Sequence, residues 1–330
     1  RRIPAETRQR LALKGFRQTA HYDAAISAYF AGQDASLSFT FYRVSTLRYG
    51  ENPHQQAALY SFTPGTGPLG GELLQGKALS YNNLLDLDAA WRGAVSFDRP
   101  CVCIVKHLSP CGVACADTLE DAFRLALASD PISAFGGVIA VNQPFDAEIA
   151  QALGELFVEC IAAPGFTEEA KTILAKRKNL RLVEMPDTQV WPLQELRSVN
   201  QGVLRQSVDL GDPEGTEWKV VSARQPTAAE QKALRFAWKA CQHVKSNAIV
   251  FVQGEATVGI GGGQPNRVDC VRIAAQRAGE KSRGAVMASD AFFPFPDSVE
   301  EAAKAGITAI VAPGGSVRDA EAIAAAEDTE

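Results

Sequence analysis

The chain contains 330 residues, of which 46% are hydrophobic and 22% are charged, and this length predicts two domains with a sizeable core. The formal net charge is −5, which argues against a general nucleic-acid-binding protein because such proteins carry a basic face. No apolar run is long enough to cross a bilayer, and seven cysteines, mostly in apolar segments, predict reduced thiols in a cytoplasmic protein. Since the first residue is not Met, we expect a fragment.

The amino-terminal part, residues 1–44, is predicted to be a helical connecting arm. Its segments 7–15 and 24–30 follow the helical pattern. The next segment, LRYGENPHQQAALY (47–60), is predicted to be a turn with many hydrogen-bonding side chains, namely Arg48, Tyr49, Asn52, His54 and Gln55. Polar loops are usually only solvated, but this density of polar groups favours a binding site.

Several further elements follow from the hydrophobic pattern. A helix is predicted within 77–91, with Asn82 or Asn83 as its cap and Leu84, Leu87 and Trp91 facing the core. Helices are also predicted at 118–127, 147–157 and 227–239, and a strand at 180–184. The segment DLGDPEGTEWK (209–219) is low in hydrophobicity and is the predicted linker.

The strand predicted at 101–105, CVCIV, ends at Lys106 and His107. Its unbroken apolar pattern is typical of a strand covered on both faces. A cation and an imidazole at the carboxyl end of such a strand indicate the ligand crevice of an open α/β sheet; the alternative is a strand that surfaces into a polar loop. The glycine pair of SAFGG (133–137) would let the backbone approach a ligand closely, or form an ordinary turn.

Short strings recur in the same order in the two halves of the chain. VKH (105–107) is echoed by VKS (244–246), and ASDPISAFGG (128–137) is echoed by ASDAFFPFPD (288–297). These echoes predict a duplicated α/β unit, with a first copy over 45–207, a second over 208–330 and a site where the copies meet.

The residues exclude several kinds of site. A zinc deaminase needs H-x-E followed by P-C-x-x-C, whereas this chain has PCGVAC (110–115) and no H-x-E. G-x-S-x-G and Walker motifs are absent, and GIGGGQPNR (259–267) lacks the rest of a dinucleotide fingerprint. What remains is a set of polar and aromatic residues suited to an anionic heteroaromatic substrate in a group-transfer reaction, with His107 beside a cation as candidate base. The residues alone do not name the reaction.

The chain resembles a known family over many long strings. LRYGENPHQQAALY, KALSYNNLLDLDAAW, VKHLSPCGVA, SDPISAFGGVIAVN, VKSNAIV, GIGGGQPNRVD, ASDAFFPFPD and APGGSVRD occur in this order and are similar to the AICAR transformylase domain of the bifunctional AICAR transformylase/IMP cyclohydrolase family. The resemblance implies an α/β fold of two tandem cytidine-deaminase-like units and a homodimer with shared active sites. It also implies formyl transfer from the co-substrate 10-formyltetrahydrofolate to the 5-amino group of AICAR, giving FAICAR and tetrahydrofolate.

The resemblance also implies roles for individual residues. Lys106 and His107 match the catalytic pair, with His107 as base and Lys106 supporting the developing oxyanion or the leaving nitrogen. Positions that match substrate contacts are Arg48, Tyr49, Phe135, Gly136, Glu159, Asn247, Arg267, Phe292 and Asp297. A potassium ion is allowed by family analogy, although the sequence shows no ligand set for it.

Three departures from the family pattern bear on function. A cyclohydrolase domain is absent from this sequence, so the second activity is not expected. Pro265 and Asn266 replace the family's residues before Arg267. The basic, aromatic tail of the type RHFRH is absent before Glu330. The alternatives are therefore a non-catalytic AICAR- or folate-binding homologue and a deaminase of the same fold, which would need zinc.

Overall fold

A computed structural model describes residues 3–32 and 37–328. It contains two compact units. The small unit comprises the described residues up to Thr46 together with Ala58–Thr66, and the large unit comprises Leu47–Ala57 and residues 67–328. The parts of the predicted arm at 1–2 and 33–36 lie outside the described residues.

The small unit is built on one long helix, α1 (Ala5–Ala31), which joins the two predicted helical stretches. None of the described side chains of this helix is buried. The strands β1 (Tyr42–Leu47) and β2 (Ala57–Ser61) form a separate two-stranded sheet. The segment between them, 48–56, has no helix or strand, as expected for the polar turn.

The large unit alternates strands and helices. Its first part contains β3 (Glu72–Gln75), α2 (Tyr81–Val95), β4 (Cys101–Lys106), β5 (Ser109–Cys115), α3 (Leu119–Ser129), α4 (Pro131–Ala134), β6 (Gly137–Val141), α5 (Ala147–Ala152), β7 (Val158–Ala163), α6 (Glu168–Leu174), β8 (Arg181–Glu184), β9 (Gln194–Val199) and β10 (Gly202–Ser207). Its second part contains α7 (Ala228–Gln242), β11 (Ala248–Gln253), β12 (Ala256–Gly262), α8 (Arg267–Ala278), β13 (Val286–Ser289), α9 (Asp297–Lys304), β14 (Ala309–Val311) and α10 (Asp319–Glu327).

A mixed ten-stranded sheet runs through both parts in the order β14-β13-β11-β12-β5-β4-β6-β7-β8-β3, while β9 and β10 form a separate hairpin. Helices cover both faces of its centre. Val102 and Ile104 of β4 pack in a cluster with Phe123 of α3, whereas Cys103 contacts the opposite helix α2, where a Cβ on Gly93 would lie 2.6 Å from the Cys103 sulfur. Because successive side chains of a strand point to opposite faces, the apolar run CVCIV is buried on both sides, and the predicted α/β class is confirmed.

The sheet repeats one arrangement twice. In the first copy, α2 precedes the hairpin β4–β5, α3 follows, β6 pairs antiparallel with β4, and β7 pairs parallel with β6. In the second copy, α7, β11–β12, α8, β13 and β14 take the same places. The copies meet where β5 and β12 pair antiparallel. Equivalent strand ends of the two copies therefore lie at opposite ends of the sheet. The cytidine-deaminase-like assignment and the boundaries 45–207 and 208–330 stay predictions.

The string echoes that suggested the duplication fall on positions that are not equivalent. Lys106 ends β4, whereas Lys245 precedes β11; likewise, 128–137 leads from α3 into β6, whereas 288–297 leads from β13 into α9. The counterpart of the turn after Lys106 is the turn after Gln253, between β11 and β12. The predicted correspondence of the strings is wrong, although the α/β arrangement itself is repeated.

Two local predictions need correction. The cap of α2 is Ser80, whose hydroxyl accepts from the Asn83 amide while the Asn83 side chain accepts from the Ser80 amide, a reciprocal capping box. Helix α5 ends at Ala152, five residues before the predicted end at 157. The predicted linker at 209–219 contains no helix or strand, and its Asp212 accepts a hydrogen bond from the Trp238 indole of α7 at 2.8 Å.

Candidate functional site

Lys106 is the last residue of β4, and His107 is the first residue of the tight hairpin turn that follows. Lys106 pairs with Ser109 across the β4–β5 ladder, so the loop consists of His107 and Leu108 alone. Their φ angles are 54° and 65°. A two-residue hairpin with positive φ at both positions is the geometry of a type I′ turn, which usually contains Asn-Gly. The Pro110 and Gly112 predicted to follow in the crevice belong to β5.

Two features around this turn fix its direction. The pairing of β4 with β5 shifts between Ile104 and Val105, which makes Cys111 an extra, bulged residue. Such bulges bend a strand and re-aim neighbouring side chains. On the other side, the Leu108 amide donates to the Asp86 carboxylate of α2 at 2.7 Å. The turn is therefore tied to both the sheet and a helix, while the His107 side chain is exposed.

The SAFGG segment lies directly beside Lys106. The Lys106 ammonium donates to the carbonyl oxygen of Phe135 at 2.6 Å. Gly136 has a φ of 70°, and a Cβ built on it would lie 3.9 Å from the Lys106 nitrogen. Its amide donates to the Phe157 carbonyl at 2.8 Å, and the Phe135 and Phe157 rings are 5.5 Å apart. The left-handed backbone at Gly136 brings this loop next to the Lys106 ammonium.

A pocket of about 190 Å³ opens next to the pair and is lined by Lys106, His107, Ser109, Pro110, Cys111, Asp130, Ser133, Ile260 and Arg277. Asp130 organises its polar side, accepting from the Ser133 amide at 3.0 Å and from the Ser133 hydroxyl at 2.6 Å. Arg277 of α8 forms an ion pair with the same carboxylate at 3.1 Å. The pocket therefore takes residues from both copies of the repeat.

A second polar cluster surrounds Arg267, the first residue of α8. Its guanidinium donates to the Asn247 side-chain oxygen at 2.7 Å, to the Ser289 hydroxyl at 2.9 Å, and to the Asp290 carboxylate. Burial alone would raise the pKa of Asp290, but hydrogen bonds from Ser246 and Arg267 lower it below its ordinary value. Asn266 is the cap of α8, since its side chain accepts from the Asp269 amide at 2.9 Å. Asn266, which departs from the family's residue at this position, therefore stabilises the start of α8, where Arg267 lies.

Strand pairing brings these groups to the same end of the sheet. We call the end of the sheet at which β4 finishes the Lys106 end. Paired residues of neighbouring strands lie at the same height in the sheet, and the pairs nearest this end are Val105 with Val138, Gly137 with Val158, Ala248 with Gly262, and Ile249 with Ser289. It therefore holds the start of β6, β7 and β11 and the end of β12 and β13. The predicted site residues adjoining these strand ends are Lys106, His107, Phe135, Gly136, Glu159, Asn247, Arg267, Phe292 and Asp297.

Five of the predicted residues, including Arg48 and Tyr49, are not in direct contact with the Lys106–His107 pair through any hydrogen bond or ion pair among the described residues. Glu159 is engaged by an ion pair with Arg181 at 2.6 Å. The Arg48 guanidinium stacks over the Tyr49 ring at 5.5 Å from its centroid, and strand pairing does not connect these two residues to the Lys106 end. Phe292 is 43% exposed, and Asp297 accepts from the Ser298 amide at 2.7 Å. No side chain of Arg48, Phe292 or Asp297 is hydrogen-bonded to Lys106 or His107 within the described residues.

Sequence reasoning missed four residues of this region: Asp86, Asp130, Ser289 and Arg277. Asp130 belongs to the string ASDPISAFGG (128–137), and its position before Pro131 is a usable cap signal, because its side chain accepts from the Ser133 amide. Asp86 and Arg277 carry no such signal, since each lies within a helix whose neighbours are known only from the fold.

Two negative findings apply to residues 3–32 and 37–328. No group of three or more His, Cys, Asp or Glu side chains is arranged to hold a metal ion. None of the helices there combines the length and the apolarity needed to cross a bilayer.

Comparison with known proteins gives a consistent result. The family model described as AICARFT/IMPCHase bienzyme matches residues 1–277. The chain is 50% identical to the bifunctional purine biosynthesis protein PurH of Myxococcus xanthus, over 99% of this chain and 66% of that protein. It is 48% identical to the PurH proteins of Trichormus variabilis and Halalkalibacterium halodurans, over 98% and 97% of this chain and 64% of each relative. The chain thus spans 64% to 66% of the length of these curated relatives.

Proposed function

Because the chain belongs to the AICARFT/IMPCHase bienzyme family, we propose that it is a folate-dependent formyltransferase of purine biosynthesis. The proposed reaction moves the formyl group of 10-formyltetrahydrofolate to the 5-amino group of AICAR and yields FAICAR and tetrahydrofolate. The observation that supports it best is the placement of Lys106 and His107 at the same end of the sheet as Asn247 and Arg267, which are distant from them in the chain.

The proposed chemistry assigns proton transfer to His107 and stabilisation of developing charge to Lys106. The amine nitrogen of AICAR attacks the formyl carbon, a new carbon–nitrogen bond forms, and the bond from that carbon to the folate nitrogen breaks. His107, whose imidazole is exposed, takes the proton of the amine as general base and returns it to the leaving folate nitrogen. Lys106 has three ammonium protons, and the Phe135 carbonyl uses one of them. The others would stabilise the developing oxyanion or the leaving nitrogen.

Substrate binding is proposed for the remaining predicted residues, of which all but Arg48 and Tyr49 adjoin that end. The Phe135 and Phe292 rings, 59% and 43% exposed, offer flat surfaces for the heteroaromatic rings. Arg267 and Arg48 are suited to the phosphate and carboxylate groups of the two substrates. Arg267 is already engaged by Asp290, so its anion contact would compete with this carboxylate. A potassium ion stays an expectation from family analogy, and no step is assigned to it.

The proposal extends to assembly and location. We expect a homodimer, which sedimentation equilibrium of the chain would show as twice the chain mass, and a cytoplasmic enzyme. A monomer that turns over at full rate would contradict the shared site and leave the formyltransferase assignment intact.

The test is a spectrophotometric assay of tetrahydrofolate formation from AICAR and 10-formyltetrahydrofolate. Wild-type chain should turn over, and His107→Ala should lose about 10²- to 10⁴-fold in rate, the usual contribution of a general base, with unchanged circular dichroism. His21→Ala, on the exposed helix α1, is the matched control and should retain the wild-type rate. Full activity of His107→Ala would contradict the base assignment. If the wild type binds AICAR in calorimetry but shows no turnover, the result would support a binding-only homologue instead.

A further inference from the structure

The turn that carries His107 has an unfavourable backbone conformation. His107 and Leu108 have φ angles of 54° and 65°, in the left-handed region that glycine and asparagine occupy readily and bulkier residues avoid. Both belong to a two-residue loop, so neither angle can relax without changing the β4–β5 register. Conformations of this kind persist only where surrounding contacts hold them. The contact that holds Leu108 is therefore important for where the His107 imidazole points.

Asp86 supplies that contact from a rigid element. Its carboxylate accepts the Leu108 amide at 2.7 Å. Asp86 lies on α2, whose start is held by the Ser80–Asn83 capping box and whose neighbouring Leu87 is fully buried. No ion pair within the described part of the chain engages Asp86, so the carboxylate is available to this amide. Groups that orient a functional residue are most effective when they are themselves held by packing.

We propose that Asp86 is a positioning residue that holds the Leu108 amide, and with it the left-handed turn, so that the His107 imidazole is held in its reactive orientation. This proposal rests on the proposed formyl transfer. It assigns Asp86 no contact with substrate and no proton transfer. Asp86 acts through one hydrogen bond, which its side-chain oxygen accepts from the Leu108 amide. A neutral oxygen acceptor at this position should serve the same role.

The experiment compares Asp86→Ala, which removes the acceptor, with Asp86→Asn, which keeps an oxygen acceptor in the same place. Loss of a hydrogen bond to a charged acceptor should lower kcat by about 10- to 100-fold in Asp86→Ala. The KM for AICAR should stay within about twofold, because substrate binding is not the role assigned. Asp86→Asn should remain within about fivefold of the wild-type kcat.

A double variant distinguishes this role from direct substrate contact. Glycine adopts positive φ without steric cost, so Leu108→Gly in the Asp86→Ala background should recover about tenfold or more of the lost kcat. A residue that touched substrate directly would show no such rescue. Each of three results would overturn the proposal. These are a kcat of Asp86→Ala equal to that of wild type, an equal loss of kcat in Asp86→Asn and Asp86→Ala, and a failure of Leu108→Gly to restore kcat.

A readout independent of turnover separates this inference from the proposed function. Hydrogen exchange of the Leu108 amide, followed by nuclear magnetic resonance, should be about tenfold or more faster in Asp86→Ala than in wild type and Asp86→Asn. If wild type shows no formyl transfer but the exchange rates differ in this way, the proposed function fails and the positioning contact stands. Unchanged exchange in Asp86→Ala would overturn the contact itself.

Discussion

The imidazole Nε2 of His243 lies 3.0 Å from the hydroxyl oxygen of Ser96. These residues are the C-caps of α7 and α2, which are both 15 residues long and both begin with a capping box. The hydrogen bond therefore joins equivalent positions of the two copies of the repeat. The Phe97 and Phe236 rings, 4.9 Å apart, extend the same contact. It ties the two halves of the large unit together on one face of the sheet.

This contact predicts a pH-dependent loss of stability. Burial lowers the pKa of His243 to about 4, with Lys239 and Arg92 acting in the same direction and Asp209 opposing them. Above pH 6.5 the side chain is neutral in the folded and unfolded states and has no effect. As the pH falls from 6.5 towards 4, the unfolded chain binds the proton first, so the free energy of unfolding decreases by at most about 3 kcal/mol.

The measurement is urea unfolding at pH 7.5 and pH 5 for wild type and His243→Asn. Between pH 7.5 and pH 5, the wild type should lose about 2 kcal/mol more of its free energy of unfolding than His243→Asn does, because only the wild type has this histidine. His21→Asn on exposed helix α1 should show no such change relative to wild type. The same pH dependence in His243→Asn and wild type would contradict the prediction.

Arg267→Ala should destabilise the protein by about 3 kcal/mol, because it leaves the Asp290 carboxylate without its guanidinium partner in a largely buried place. The side chains of Arg267 and Asp290 are 7% and 19% exposed. The pKa of Asp290, which this pair helps to lower, should rise in the variant. Arg272→Ala on the same helix, where the side chain is 56% exposed, should change the free energy of unfolding by less than about 0.5 kcal/mol.

Urea unfolding at neutral pH checks this prediction, and the double variant Arg267→Ala/Asp290→Asn tests its cause. Because no charged carboxylate is left unpaired, the double variant should lose less than the sum of its two single variants. Additive losses would show that the ion pair is not the source of the effect.

Gly136→Ala should cost about 1 to 2 kcal/mol of stability, because the residue has a φ of 70° that L-amino acids avoid. The added methyl group itself would fit, since its nearest neighbours are the Phe157 ring atoms at 3.6 Å. The loss should therefore come from the backbone, and it should be accompanied by lower formyl transfer as the Phe135 carbonyl moves from Lys106. Gly165→Ala, with no atom within 4 Å of the new methyl group, is the control. Equal unfolding midpoints of the two variants in urea would contradict this reading.

The thiols should be unreactive in the folded protein. All seven cysteines are free and buried, and burial raises the pKa of Cys111, Cys160 and Cys241 to about 12. Since the thiolate is the reactive form, a chromogenic disulfide reagent at pH 8 should modify no thiol promptly until denaturant is added. It should then count seven. Ile132→Cys, at a side chain that is 80% exposed, should react at once; prompt reaction of native wild type would contradict the prediction.

Much of the local structure was predictable from the sequence. The buried strand at 101–105, helix α3 and the strand at 180–184 appear where the hydrophobic pattern indicated, because burial periodicity is a local property. The family was also recognisable, since its motifs are continuous strings. Where local signals compete, prediction failed: Ser80 rather than Asn82 or Asn83 caps α2, because its hydroxyl accepts from the Asn83 amide.

Only the tertiary structure decided how distant segments meet. The turn at His107 and Leu108 lacks the residues that mark a type I′ turn, so its conformation follows from the pairing of Lys106 with Ser109 and from the contact with Asp86. Equally, the antiparallel meeting of β5 and β12 determines which strand ends lie together. The sequence by itself determined which segments are buried and which residue types are available for chemistry. Long-range strand register, which no local pattern encodes, determined that Lys106, Asn247 and Arg267 lie at one end of the sheet.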